Sequence, residues 1–250
     1  MRTVVISGGG TGIGRVTAQR FVENGVRVVI IGRRGPVLSK AVDELTQSSK
    51  VAEVGVLPFV GDISEPTVAA RLSASVQKVG DGRVDVIVNN AGGVIRGPDS
   101  SLDEIAENWI ETYRSNILTA VMLTESLMPL LRRPGGRVVN LSSIAAYRGG
   151  GGPYSAAKAA VTGWTFDLAT RLGSDGITAN VVVPGFVTDT EFFGDRLTAE
   201  RRGRLIAQTL DGRAGEPKDI AAAIFYLASA EAAHVTGQVI HVNGGALFGR

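Results

Sequence analysis

The chain has 250 residues, of which 44% are hydrophobic and 20% charged, so it can bury a sizeable core as one large α/β domain or two small ones. Its net charge of +2 and its scattered arginine pairs do not predict a nucleic-acid-binding face. The absence of cysteine excludes disulfides, thiol catalysis and thiolate metal ligands, and with only two histidines no metal site is expected.

Location and membrane contact can also be judged from the sequence. No apolar run reaches about 18 residues, the length that a membrane-spanning helix needs. The first residues enter a β-rich run at once and lack the layout of a signal peptide. We therefore expect a cytoplasmic protein without a membrane or nucleic-acid partner.

Strand-like and helix-like segments alternate along the chain. Short β-rich runs predict seven strands, at Val4–Ser7, Arg27–Ile31, Val54–Val60, Val84–Asn89, Arg137–Ser142, Ile177–Val183 and Gln238–Val242. The segments between them predict helices at Gly12–Asn24, Pro36–Ser48, Glu65–Val79, Leu102–Leu131, Tyr154–Leu172 and Pro217–Ala230. The long fourth helix is expected to bend near Asn116.

The strand sequences indicate the type of sheet. Most are valine and isoleucine runs without alternation, as expected for parallel strands that helices cover on both faces. No linker or internal repeat interrupts the pattern. We predict an α/β fold with a single doubly wound Rossmann domain over residues 1–250, a seven-stranded parallel sheet and helices on both faces. The less regular segment 186–211 is predicted to form a substrate lid.

A glycine-rich stretch, SGGGTGIG from Ser7 to Gly14, joins the first strand to the first helix. Glycine tolerates positive φ and has no Cβ to keep a ligand from the main chain. The helix that starts near Gly12 offers free N–H groups and a positive dipole end. These features predict a pyrophosphate site, although a tight turn alone would also use glycine here.

Two arginines follow the second strand, where a site for NAD usually carries an acidic residue. The guanidinium groups of Arg33 and Arg34 suit a phosphate dianion, so the sequence favours NADP(H), with NAD(H) as the alternative. The alternative is that the two arginines bind no ligand and are simply solvated at the end of the strand. Asp62, after the third strand, is placed either to meet an adenine edge or to cap the next helix.

The sequence PYSAAK places Tyr154 and Lys158 four residues apart, on one face of a helix. A phenol has an ordinary pKa of about 10, which is too high for a base near neutrality. A nearby ammonium favours the phenolate. Ser142 and Ser143 end the preceding strand, where a hydroxyl could donate a hydrogen bond to a substrate carbonyl oxygen.

Taken in order, GGGTGIG at Gly8–Gly14, NNAG at Asn89–Gly92, NLSS at Asn140–Ser143, YSAAK at Tyr154–Lys158 and PG at Pro184–Gly185 resemble the short-chain dehydrogenase/reductase family over essentially the whole chain. Within it the chain is most similar to 3-oxoacyl-[acyl-carrier-protein] reductases. The resemblance implies that Tyr154 is the general acid/base. It also implies that Lys158 binds the nicotinamide ribose and lowers the pKa of Tyr154.

The resemblance implies further roles. Ser143 would polarise the carbonyl, with Ser142 as the alternative, and Asn116 would anchor a water that links Lys158 to solvent. The implied cofactor site consists of Gly8, Gly10, Thr11, Gly12, Ile13, Gly14, Arg33, Arg34, Asp62, Ile63, Asn90, Ala91, Gly92, Tyr154, Lys158, Pro184, Gly185, Val187, Thr188 and Thr190. The implied substrate site consists of Ser143, Tyr154, Phe186, Phe192 and Phe193.

The sequence departs from the family pattern at two points. The interval from Ser143 to Tyr154 is 11 residues, about two shorter than usual, and a run of four glycines lies within it. The usual threonine five residues after Pro184 is Asp189, with threonine on either side. We expect Thr190 to take that threonine's place beside the nicotinamide carboxamide.

The predicted function is hydride transfer between NADP(H) and a carbonyl or alcohol, as in 3-oxoacyl or polyketide ketoreductases. The alternatives are an NAD-dependent dehydrogenase of a steroid, sugar or small alcohol, and a regulator that senses NADP without turnover. Epimerisation of sugar nucleotides is disfavoured by the short chain. The apolar helix Asp219–Ala228 and the last strand, at a sheet edge, predict one two-fold contact between copies of the chain. The helix Ala156–Thr170 with the long helix around Leu118–Leu131 predicts a second, and two different two-fold contacts give a homotetramer.

Overall fold

The computed structural model describes residues 1–48 and 55–249. Its strands are β1 Thr3–Ser7, β2 Arg27–Gly32, β3 Val56–Val60, β4 Val86–Asn89, β5 Arg137–Leu141, β6 Thr178–Pro184 and β7 Val239–Val242. They form one parallel sheet in the order β3-β2-β1-β4-β5-β6-β7. The predicted doubly wound sheet is confirmed. The predicted start of the third strand, Val54, lies outside the described residues.

The helices cover both faces of this sheet. They are α1 Gly12–Glu23, α2 Gly35–Ser48, α3 Pro66–Val76, α4 Leu102–Tyr113, α5 Thr119–Leu127, α6 Ala145–Arg148, α7 Pro153–Leu172, α8 Ala199–Ile206 and α9 Pro217–Leu227. Alternate side chains of β1 point into two cores. Val4 and Ile6 pack with α1, α2 and α9, while Val5 packs with α3, α5 and α7.

The predicted long fourth helix is divided. A serine–glutamate capping box at Ser101 and Glu104 starts α4. A π-helical segment, Arg114–Leu118, then separates α4 from α5. The predicted bend near Asn116 corresponds to this wider turn, whose extra residue shifts the helical register. Such π segments occur frequently at functional sites.

Helices α6 and α8 are absent from the predicted set of elements. The four-residue helix α6 follows Ser143 and leads into the glycine run, where Gly149, Gly150 and Gly152 have φ of 73°, 79° and 55°. These left-handed conformations turn the chain into α7 within the short interval before Tyr154.

None of the described helices has the length and hydropathy to cross a bilayer.

Chain order creates a crevice at the centre of the sheet. From β1 the chain moves outward through β2 to β3, and from β4 it moves in the opposite direction. Loops after β1 and β4 therefore diverge to opposite faces and leave a gap at the carboxyl edge. This gap is where the predicted site residues meet.

Candidate active site

A cavity of about 570 Å³ opens at the carboxyl edge of the sheet. Its walls come from the loops that follow β1 to β6 and from the π-helical segment. All the predicted cofactor, catalytic and substrate residues line it except Gly14, Asn116, Phe186 and Thr188. The sequence motifs therefore converge on one site, and the four exceptions lie directly behind its walls.

The glycine turn forms one end of the cavity. Gly8 and Gly12 have φ of 66° and 49°, which are left-handed conformations that favour glycine. The N-cap of α1, Thr11, makes no side-chain capping bond, and the first turn of α1 carries no acidic residue. The first N–H groups of α1 are thus left to an anion, as a pyrophosphate site requires.

Asn90 fastens this turn to β4. Its Nδ2 donates to the carbonyl oxygens of Ser7 at 2.9 Å and Gly8 at 3.2 Å. The Ser7 hydroxyl oxygen accepts hydrogen bonds from the main-chain nitrogens of Asn90 and Ala91. Gly14 lies beneath the turn, where a Cβ would come within 2.2 Å of the Gly8 oxygen. Gly14 therefore serves packing and is not a cavity contact, in correction of its predicted role.

Asp62 lies on the cavity wall beyond β3. Partial burial raises the pKa of its carboxyl, but hydrogen bonds from the Ser64 hydroxyl and main-chain N–H, with the charges of Arg33 and Arg114, hold that pKa below its ordinary value. The carboxylate is therefore ionised and accepts hydrogen bonds. The N-cap of α3 is Glu65, so the alternative role of Asp62 as the helix cap is wrong.

Asn116 sits on the π-helical segment and is buried. Its Oδ1 accepts from the Gly93 nitrogen at 3.0 Å, and its Nδ2 donates to the Gly93 oxygen at 2.9 Å. A Cβ on Gly92 would lie 2.5 Å from this Oδ1 and 3.1 Å from Nζ of Lys158. Asn116 thus holds the loop after β4 against Lys158 from behind the cavity wall. The water that it was expected to anchor remains a prediction.

Tyr154 and Lys158 are both buried on α7 and both line the cavity. Nζ of Lys158 donates to the Leu141 oxygen at 3.0 Å and lies 5.8 Å from the centre of the Tyr154 ring. Burial lowers the pKa of Lys158 to about 8. Burial also raises the pKa of Tyr154 to about 12, against an opposing effect of Ser143.

Burial of the phenol opposes the expected lowering of the Tyr154 pKa by Lys158, which remains a prediction. Desolvation of the phenol outweighs every favourable interaction of the phenolate, because both groups lie in a water-poor site. Tyr154 is protonated near neutral pH. In this geometry it is placed to act as an acid rather than as a ready base.

The two serines after β5 have different surroundings. The Ser142 hydroxyl donates to the Lys158 main-chain oxygen at 2.7 Å, which ties β5 to α7. The Ser143 oxygen accepts from the Ala145 nitrogen at 3.2 Å, and the Ser143 hydroxyl also forms a hydrogen bond with the Tyr154 side chain that partly offsets the rise of the Tyr154 pKa. The geometry favours Ser143 over Ser142 as the residue that polarises a carbonyl.

The lid begins after β6. Asp189 has φ of 55° and is the one non-glycine residue with positive φ among the described residues. Thr190 lies against the glycine turn, with its Cγ2 3.2 Å from where a Gly12 Cβ would be. Thr188 is instead buried and donates to Asp189 and to the Gly215 oxygen. Its predicted cofactor contact is corrected, and Thr190 faces the cavity as expected.

Aromatic rings form the lid side of the cavity. The Phe192 ring centre is 5.5 Å from that of Tyr154 and 4.9 Å from that of Phe193. Phe186 is buried and packs edge-on against Phe193 at 5.4 Å. Phe186 therefore supports the apolar wall from behind, while Phe192 and Phe193 present it to the cavity.

Comparison with known proteins shows the family of the chain. The sequence model of a family described as Enoyl-(Acyl carrier protein) reductase matches residues 8–246. An uncharacterized short-chain type dehydrogenase/reductase of Sinorhizobium fredii is 36% identical over 99% of this chain and 98% of its own length. The chain belongs to the short-chain dehydrogenase/reductase family. It is accordingly an NAD(P)-dependent oxidoreductase of class EC 1.1.1.-.

Other similar proteins match nearly the whole chain. The 3-oxoacyl-[acyl-carrier-protein] reductase of Vibrio cholerae is 31% identical over 98% of this chain and 96% of its own. The solved structure of a short-chain type dehydrogenase/reductase from Mycobacterium ulcerans superposes with a TM-score of 0.90 at 31% identity. That superposition covers 98% of this chain and 89% of the other. The predicted family resemblance is confirmed.

Membership of the short-chain dehydrogenase/reductase family implies a nicotinamide dinucleotide cofactor. The residues present fit such a molecule. The uncapped N-terminus of α1 suits its pyrophosphate, the ionised Asp62 suits an adenine amino group, and the cavity continues from there to Tyr154. The wall formed by Pro184, Gly185 and Thr190 would take the nicotinamide.

Several cavity residues escaped the sequence reasoning. Arg114, of the π-helical segment, donates from Nε to the Ser64 hydroxyl at 3.1 Å and forms an ion pair with Glu65. Glu191, on the lid, forms an ion pair with Arg34 at 2.6 Å. Each of these contacts joins residues far apart in the chain. The position of Arg114 two residues before Asn116, and of Glu191 directly after Thr190, is the only local signal for either.

Proposed function

We propose that this protein is an NADPH-dependent reductase of ketone substrates, with 3-oxoacyl thioesters as the substrate class. One observation carries the proposal: the hydroxyls of Ser143 and Tyr154 and the ammonium of Lys158 line the same cavity as the glycine turn and the ionised Asp62. The reductase from Vibrio cholerae is named for a 3-oxoacyl group on a carrier protein, which supports the substrate class.

The side chains have distinct tasks in the proposed reaction. The bound nicotinamide supplies the hydride to the carbonyl carbon. Ser143 donates a hydrogen bond to the carbonyl oxygen and so stabilises the negative charge that develops there. Tyr154, protonated because burial raises its pKa to about 12, donates its proton to the same oxygen. Lys158 stabilises the phenolate that this transfer leaves behind.

The apolar wall fits a substrate with a hydrocarbon part. Phe192 and Phe193 line the cavity beside Tyr154, so a chain next to the carbonyl would pack against their rings. Burial of such a chain contributes roughly 25 cal/mol per Å² of apolar surface. This contribution favours acyl or aromatic ketones over small hydrophilic sugars.

The choice of NADPH follows from the loop after β2. Arg33 and Arg34 are exposed at the cavity wall, and no acidic residue occupies that loop. A guanidinium attracts the 2′-phosphate of NADPH, whereas a site for NAD normally uses a carboxylate to bind the ribose hydroxyls. Cytoplasmic location and a homotetrameric state, both expected from the sequence, remain predictions.

Replacement of the catalytic tyrosine tests the proposal. We expect Tyr154→Phe to bind NADPH normally and to lose about 10² or more in kcat with a 3-oxoacyl thioester, because the proton donor is gone. Tyr147→Phe is the matched control, since the Tyr147 hydroxyl forms a hydrogen bond with Thr162 and Tyr147 does not line the cavity among the described residues. Normal turnover by a folded Tyr154→Phe enzyme would contradict the assignment. Cofactor binding without turnover by the unmodified protein would support the sensing alternative.

A further inference from the structure

An ion pair crosses the cavity mouth between two loops that are distant in the chain. Nη2 of Arg34, after β2, lies 2.6 Å from Oε2 of Glu191, on the lid. Both side chains line the cavity, and both are more than half exposed, at 58% and 60%. The lid residue therefore reaches the same guanidinium that a phosphate at this loop would use.

The two arginines of the loop are not equivalent. Arg33 lies on the side of β3, where its charge contributes to the lowered pKa of Asp62. Arg34 reaches the opposite wall and its acidic partner there is Glu191. Removal of the Glu191 carboxylate should therefore change what Arg34 can bind and leave Arg33 unaffected.

An exposed ion pair of this kind is weak, because water and salt screen both charges. A phosphate dianion at Arg34 would meet the Glu191 carboxylate within a few ångströms, where like charges repel. The phosphate must therefore either displace this carboxylate or bind beside it. In both cases Glu191 opposes a cofactor that carries a 2′-phosphate and does not oppose one that lacks it.

We propose that Glu191 is a specificity-determining residue that competes with the 2′-phosphate for Arg34. The inference rests on the proposed use of NADPH and refines it: the lid carries a negative charge that moderates the NADPH preference set by the arginines. The affinity for NADPH is thus lower than Arg33 and Arg34 alone would give. Neutralising Glu191 increases the preference.

Two nucleotides isolate this effect from catalysis. Adenosine 2′,5′-bisphosphate and adenosine 5′-monophosphate differ only in the 2′-phosphate, and both can be titrated calorimetrically into the intact protein. We expect Glu191→Gln to tighten binding of the bisphosphate about threefold to tenfold, as removal of one nearby charge at an exposed site should do. Binding of the monophosphate should change by less than about twofold.

Three further variants make the test specific. Glu200→Gln removes the same charge from helix α8, where Glu200 pairs with Arg204, and it should change neither affinity. Arg34→Gln should weaken bisphosphate binding and abolish the effect of Glu191→Gln when the two are combined. Arg33→Gln should preserve that effect. An unchanged or weakened bisphosphate affinity in Glu191→Gln, or the same gain in Glu200→Gln or in the Arg34→Gln background, overturns the inference.

A failure of the proposed NADPH preference would give a different result from a failure of the proposed role of Glu191. If the unmodified protein binds the two nucleotides equally, the proposed NADPH preference is wrong. The role of Glu191 is still decided in that case, because Glu191→Gln must then create a preference for the bisphosphate. Loss of turnover in Tyr154→Phe is independent of either outcome.

Discussion

At the scale of single residues, the site contains two side chains whose burial opposes their charged forms. Lys158 lies beneath the cavity with one described hydrogen bond from its Nζ, to the Leu141 oxygen. Its pKa is lowered to about 8 because the ammonium has lost its water. An ordinary lysine in the unfolded chain remains charged to about pH 10.4. The burial of Lys158 therefore lowers the unfolding free energy at every pH at which the folded protein holds this lysine in its charged form.

The variant Lys158→Met tests this penalty. Below pH 8 the lysine is charged in both states, so the full cost of burying it applies, about 3 kcal/mol from the difference between the two pKa values. Between pH 8 and about 10.4 the folded protein has released the proton that the unfolded chain still holds, and the cost falls. We expect the unfolding free energy of Lys158→Met relative to the original protein to decrease by about 2 kcal/mol from pH 7 to pH 10, because the unfolded chain still holds part of the proton at pH 10.

Urea unfolding followed by circular dichroism at the two pH values measures this difference. Lys40→Met, on the exposed surface of α2, is the control and should show no such dependence. Tyr154 does not interfere, because its raised pKa affects stability only above about pH 10. A difference in unfolding free energy between Lys158→Met and the original protein that stays constant from pH 7 to pH 10 would show that burial does not lower the pKa of Lys158.

At the scale of elements, the π-helical segment links the central crevice to α4 and α5. Its wide turn directs Asn116 towards the loop after β4, where one side chain satisfies both main-chain groups of Gly93. The same amide donates to the Thr112 oxygen, a carbonyl of the preceding helical turn. Asn116 thus connects the helical segment to the loop after β4 by hydrogen bonds.

Removal of the hydrogen bonds of Asn116 should lower both the stability and the activity of the protein. Asn116→Ala removes two hydrogen bonds to the half-buried main-chain groups of Gly93, a loss of about 0.5–1.5 kcal/mol for each hydrogen bond. The loop at Gly92 would also lose its position beside Lys158, so we expect kcat to fall. Asn108→Ala is the matched control on α4, since its Oδ1 accepts no hydrogen bond within the described part of the chain. Equal losses of unfolding free energy in the two variants would contradict the role of Asn116 in connecting the helical segment to this loop.

The sequence predicted the sheet well because continuous valine and isoleucine runs have few other possible environments. Most of the predicted site residues line one cavity because most of the motifs follow the end of a strand, while their catalytic roles remain predictions. The sequence did not predict the π-helical segment, since one extra residue in a helical turn leaves no periodic signal. It also missed Arg114 and Glu191, whose partners are distant in the chain, and it assigned Thr188 to the cavity because adjacent threonines in an irregular loop cannot be oriented without the fold.

At the scale of the whole molecule, one surface is unusually apolar. Helices α4 and α7 lie side by side and expose Trp109, Ile110, Tyr113 and Phe166. The helix α9, expected to be covered by a partner because of its apolar sequence, is partly covered within the chain by α1, where Phe225 packs on Phe21. The predicted contact of α7 with the segment Leu118–Leu131 remains a prediction, and these exposed side chains make the α4 and α7 face a further candidate contact besides the edge strand β7.

We expect the protein to be a homotetramer in which the α4 and α7 face forms one of two different two-fold contacts. Ile110 is 69% exposed on α4, so Ile110→Glu should bury an unpaired charge on assembly and reduce the tetramer to a dimer. Leu57→Glu, at the opposite edge strand β3, places the same charge on an exposed leucine and should leave the tetramer intact. Sedimentation velocity at micromolar concentration distinguishes these states for a chain of 26.1 kDa. An unmodified protein that sediments as a monomer would exclude both contacts, and a tetrameric Ile110→Glu variant would move the contact away from α4.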